Sequence, residues 1–157
     1  MLEIFEKCHA LMLTQSATPS LVALTIFILW LPTGSIIHEL GHLAAARLCG
    51  IKGGRLVFQP VNGKRGLPFP GLAIDENQLL ATTRAARRFV FAGGAIADVW
   101  AVLFMCSVLP LLELPDEVLA GVLGGVFFRG LIFWVNLIPL SKIRSDGWRM
   151  MNPDSGI

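Results

Sequence analysis

Three long runs of apolar residues, Leu21–Ile37, Val90–Leu112 and Val118–Leu140, dominate the pattern of this chain. The first carries no charge, the second only Asp98, and the third only Arg129. At 1.5 Å per residue each is about long enough, as a helix, to cross a hydrocarbon layer of ~30 Å, the first by continuing past His42. The pattern predicts an all-α membrane protein with spans at about residues 21–46, 90–112 and 118–140, and a loop over 47–89. The whole length, 1–157, reads as a single membrane-embedded domain. Within the loop, Arg55–Val61 is short and apolar enough for a strand. Gly53-Gly54, Asn62-Gly63 and Pro68–Gly71 supply turns, so a short β-hairpin is expected there.

Composition agrees with this pattern. Hydrophobic residues make up 54% of the chain and charged residues 15%, with a mean hydropathy of +0.66; a soluble domain has about 25% charged residues. The beginning is not expected to be a cleavable signal, because Glu3 and Glu6 outweigh Lys7 and the apolar run starts only at Leu21. Cys8, Cys49 and Cys106 have no paired spacing and read as small apolar fillers.

The distribution of charge sets an orientation. Arg47, Lys52, Arg55, Lys64, Arg65, Arg84, Arg87 and Arg88, eight of the thirteen basic residues, lie between the first and second spans. The turn between spans two and three has Glu113, Asp116 and Glu117 and no basic residue, whereas the end of the chain has Lys142, Arg144 and Arg149. The positive-inside rule therefore places the loop and the C-terminus in the cytoplasm and the N-terminus outside. These arginines are spread over a loop without a recognition fold, so no nucleic-acid partner is expected. The lipid bilayer is the expected surrounding, and a bacterial cytoplasmic membrane the expected location.

Candidate chemistry is concentrated at His38-Glu39-Leu40-Gly41-His42. Two imidazoles four positions apart share one helix face and can reach one ion, with Glu39 alongside. Two neutral imidazoles with an oxygen ligand suit Zn²⁺, and a position left open to water marks a catalytic rather than a closed structural site. Glu39 is then the base that takes a proton from an attacking water. His9, across the membrane by this topology, is not expected to be a ligand.

Depth along the spans shows what can join this motif. His38 lies seventeen residues from Leu21, about 26 Å, and Asn136 eighteen residues from Val118, about 27 Å, so the two meet at one depth. Beyond Asn136, Pro139 disfavours helix and Ser141–Gly147 is polar and turn-rich, which lets Asp146 return to the ion. Asp98 and Arg129 lie at matching depths in their own spans and are expected to form an ion pair, because a lone intramembrane charge is costly. The alternative is that Asp98 approaches the metal or Arg129 grips a substrate carbonyl. Gly121, Gly124, Gly125 and Gly130 are expected to let the third span pack closely. The four tryptophans read as interfacial or packing residues.

Two motifs together resemble the site-2 proteases, membrane-embedded zinc metallopeptidases. One is His38-Glu39-Leu40-Gly41-His42; the other is Asn136-Leu137-Ile138-Pro139 followed by Asp146-Gly147. The resemblance covers roughly His38 to Trp148. It implies a three-span site-2-protease-like core in which His38, His42 and Asp146 bind zinc, Glu39 is the base, and Asn136 helps hold the substrate or reaction intermediate. The chain departs from the family pattern in three places. Asn136 and Asp146 are ten positions apart instead of the common eight. Ala92-Gly93-Gly94 replaces alanine-glycine-proline, and Asp98 stands near a position where relatives carry asparagine. No PDZ-like insert is expected in what reads as a minimal core.

The expected function is hydrolysis of a peptide bond near the cytoplasmic face, in a membrane-spanning or membrane-associated peptide or protein substrate. An accessory membrane subunit is a further candidate partner. An exposed strand edge of the loop can pair with an extended substrate, whose helix must unwind before water attacks. Two other readings remain: a non-proteolytic zinc-binding membrane partner, and a zinc-dependent hydrolase of a non-peptide membrane substrate.

Overall fold

A computed structural model describes residues 21–60, 68–142 and 145–154. His9, Cys8 and the Asn62-Gly63 turn lie outside the described residues. The elements are helix α1 (Leu21–Leu48), strands β1 (Arg55–Pro60) and β2 (Pro68–Ala73), the short helix α2 (Glu76–Leu80), and helix α3 (Arg84–Val108). A 3₁₀ turn (Leu109–Leu111), helix α4 (Asp116–Leu137) and the short helix α5 (Asp146–Met151) follow. α1, α3 with its 3₁₀ extension, and α4 are long and apolar enough to cross a membrane, which marks the chain as a membrane protein. Their outer faces carry exposed apolar side chains such as Leu29 at 62%, Phe127 at 65% and Trp134 at 65%. Such faces suit acyl chains.

The helix boundaries have local causes. α3 begins six residues before Val90, because Thr83 in extended conformation accepts the Ala86 N–H and caps the helix. Arg84, Arg87 and Arg88 are therefore its first turns and not part of the preceding loop. α4 ends at Leu137, short of Leu140, since Ile138 precedes Pro139 and takes the extended conformation (φ −67°, ψ 129°) that a following proline favours.

β1 and β2 pair antiparallel, from Arg55 opposite Ala73 to Pro60 opposite Pro68, and form the expected hairpin. Pro68–Gly71, expected as a turn, is instead the first part of β2. Prolines are tolerated there because each strand of a two-stranded sheet is an edge strand.

α1 packs against both α3 and α4. Gly41 meets Gly93 at the first crossing: a Cβ on Gly93 would stand 2.6 Å from the Gly41 carbonyl oxygen. On the other side, Gly121 lies against Ala23, and Gly125 against the Trp30 ring. A Cβ on Gly124 would make only an ordinary contact with Phe27, and one on Gly130 would meet nothing among the described residues. An apolar cluster of Ala46, Ile51, Leu79, Val90 and Phe91 joins the end of α1 to α2 and the start of α3.

Candidate metal centre

His38 and His42 lie one turn apart on the buried face of α1, 5% and 7% exposed, where the close approach of Gly41 to Gly93 presses that face onto α3. α3 fixes both rings. His38 Nδ1 stands 2.7 Å from Oδ2 of Asp98, and His42 Nδ1 stands 2.7 Å from the Val90 carbonyl oxygen. A carbonyl only accepts, so His42 donates from Nδ1. The Gly94 N–H, 3.2 Å from the same nitrogen, is the longer contact and does not set the tautomer. With Nδ1 donating in both rings, Nε2 is the atom each neutral imidazole offers to an ion.

The two Nε2 atoms are 3.1 Å apart, and an Asp146 carboxylate oxygen lies 2.9 Å from one and 3.4 Å from the other. These three residues form a buried group whose ligand atoms all lie within 4.8 Å of one another and can hold a metal ion. Their lone pairs converge, so a proton or a cation must sit among them. Gly94 supplies the space: a Cβ there would come within 2.5 Å of His38 Nε2 and still closer to His42 Nε2. Where protons rather than a metal occupy the group, burial disfavours ionisation of Asp146, but hydrogen bonds and charge from the protonated histidines win and hold its carboxyl well below the usual carboxylate range.

Asp146 reaches this point because α5 is tied to the end of α4. Ser145 caps α5 by accepting the Trp148 N–H, its hydroxyl donates to the Ile138 carbonyl, and the Leu140 N–H donates to it in turn. Gly147 then lies directly on the Leu137 carbonyl, so closely that any side chain would displace α5. The proline-ended α4 and the capped α5 accomplish the expected return of Asp146. Sequence reading had not singled out Ser145, although a serine just before a polar first turn is a helix-start signal.

Glu39, half-buried, lines a cavity of about 320 Å³ with His38, Asn136, Asp146, Arg129 and Arg149, whose rim includes Phe69 and Pro70 of β2. It also lines a second cavity of about 250 Å³ with His42, Leu72 and Val90. All five residues singled out from the sequence, His38, Glu39, His42, Asn136 and Asp146, thus come together. Asp98 and Arg129, 2% and 8% exposed, form a buried ion pair: Oδ1 of Asp98 accepts from Nε at 2.9 Å and from Nη2 at 2.7 Å. The ion pair expected for Asp98 is present, and the same carboxylate contacts His38 at the ring nitrogen away from Asp146, so Asp98 bears on the metal group only through that ring. Cys49 and Cys106 are free thiols away from this group.

Comparison with protein-family models, curated proteins and solved structures finds no match for this chain.

Proposed function

We propose that the chain is a membrane-embedded zinc endopeptidase, a divergent member of the site-2 proteases, that cuts a membrane-spanning or membrane-associated peptide near the cytoplasmic face. One observation carries this reading: the ligand atoms of His38, His42 and Asp146 converge beside Glu39 in a cavity that also holds Asn136. Bonds of about 2.0–2.1 Å in tetrahedral zinc place ligand atoms roughly 3.3 Å apart, and the separations here are 3.1, 2.9 and 3.4 Å. Zinc, when bound, supplies Lewis-acid activation of water and of the scissile carbonyl.

The chain's own residues supply the rest. Glu39 takes the proton of the attacking water and passes it to the departing amine, without an acyl-enzyme. Asn136 donates a hydrogen bond as charge develops on the carbonyl oxygen. β2 borders both cavities, so an extended substrate laid along it passes Glu39. Pro68 and Pro70 have no N–H, and alternate N–H groups of β2 are turned toward β1, so few of its backbone donors remain for a substrate. A purely structural zinc has no use for Glu39 or for open space beside it, and this favours hydrolysis over a non-proteolytic partner role.

Purified protein, given a panel of synthetic membrane-spanning peptides, is expected to release fragments that mass spectrometry maps to the cytoplasmic half of a span. Chelation should stop the cleavage and zinc restore it. Hydrolysis of a lipid ester with every peptide intact would overturn the peptidase reading in favour of the non-peptide one.

The basic residues from Arg47 to Arg88 favour a cytoplasmic position for that end of the bundle, and the acidic turn at Asp116 an outer one. In intact cells, after replacement of the native cysteines, Asp116→Cys should react with a membrane-impermeant thiol reagent and Lys52→Cys should not. The opposite labelling would invert the protein.

A further inference from the structure

The two oxygens of Asp98 have separate tasks. Oδ1 is taken by Arg129, which reaches it with both Nε and Nη2, while Oδ2 faces His38 Nδ1. A guanidinium only donates, so it claims an accepting oxygen and holds the carboxylate plane in one orientation. The Arg129 stem has room to do so because it crosses α1 at Gly34, where a Cβ would stand 3.0 Å from Cδ and 3.3 Å from Nε. Three spans are thereby joined at one point: α4 holds Asp98 of α3, and Asp98 holds His38 of α1.

We infer that Asp98, clamped by Arg129, is a positioning residue that keeps His38 in the tautomer with a proton on Nδ1 and a free lone pair on Nε2. This rests on the metal-site reading and adds to it a reason for two intramembrane charges beside the site. A histidine ligand whose other nitrogen donates to a carboxylate is fixed in ring orientation and is a more basic donor. His42 obtains the same tautomer from the Val90 carbonyl, which carries no charge and needs no clamp. Of the two histidines, it is therefore His38 that the Asp98–Arg129 pair serves.

The separation of the two oxygens makes Asp98→Asn informative. Arg129 would still claim the amide oxygen, so the amide NH₂ would face His38 Nδ1. Two donors cannot share that contact; the imidazole must move its proton to Nε2, where it blocks the metal. Zinc affinity of the full-length chain in detergent, measured by competition with a chromophoric zinc chelator, is expected to fall about 10- to 100-fold, as for other partners of metal-bound histidines. Adding Arg129→Met frees the amide to flip and present its oxygen to His38, so Asp98→Asn/Arg129→Met should bind zinc more tightly than Asp98→Asn. A merely structural network predicts the reverse, since a second lesion would weaken it further, and that result would overturn the inference.

Wild-type binding with an unchanged Asp98→Asn affinity would overturn this inference alone, whereas wild type that binds no zinc would overturn the metal reading beneath it. Should Asp98→Asn fail to fold, ¹⁵N-histidine NMR of the zinc-loaded wild type decides the matter. A protonated Nδ1 and a zinc-bound Nε2 on His38 support the inference; zinc on Nδ1 contradicts it.

Discussion

Glu39→Gln is expected to lower cleavage of a membrane-spanning peptide by about 10²- to 10⁴-fold, the usual contribution of a positioned general base, while the protein retains its metal. Retention follows from the geometry: the three converging ligand atoms belong to His38, His42 and Asp146, and Glu39 is not among them. Glutamine has nearly the same shape as glutamate and Glu39 is only half-buried, so folding should survive. Cleavage and metal content measured on one preparation separate the outcomes. Undiminished cleavage would place the base elsewhere, and loss of metal would make Glu39 a ligand.

Gly94→Val should have a comparably large effect on the metal by a different route. The ring nitrogens that would face the ion occupy the space a side chain at this position requires; even a Cβ would stand within 2.5 Å of His38 Nε2. Moving α3 back would give up its close packing on α1 at Gly41 and Gly93. The rings must therefore turn away and lose their Nδ1 partners. Metal analysis is expected to show little zinc in Gly94→Val, with Gly124→Ala, at an ordinary contact with Phe27, as a control that keeps it. Full occupancy in Gly94→Val would mean that the ion sits away from this face of α3.

Much of the arrangement was legible in the sequence because it depends on spacing. Apolar run lengths located the three long helices, and the four-residue spacing of His38 and His42 placed both rings on one face. Equal depths paired Asp98 with Arg129. The bond from Asp98 to His38 was not legible by that route. Depth counting set Asp98 about 12 Å from a boundary that His38 nearly reaches, whereas the Gly41–Gly93 contact sets the actual offset between α1 and α3.

Other features depend on the backbone and leave little trace in residue type. His42 is held by a carbonyl oxygen, which any residue at position 90 would supply. Pro68 and Pro70 read as turn residues and stand in a strand, because a two-stranded sheet leaves edges where a missing N–H is tolerated. The path back to Asp146 rests on Ser145, whose hydroxyl bonds both ends of the connection, and on Gly147, which no other residue could replace against the Leu137 carbonyl.

The most direct test of the metal centre is the zinc content per chain of purified wild type, measured beside His38→Ala, His42→Ala and Asp146→Ala by elemental analysis. One zinc per wild-type chain, with each substitution weakening its retention, is the predicted result. No zinc in the wild type, or equal zinc in all four proteins, would contradict it.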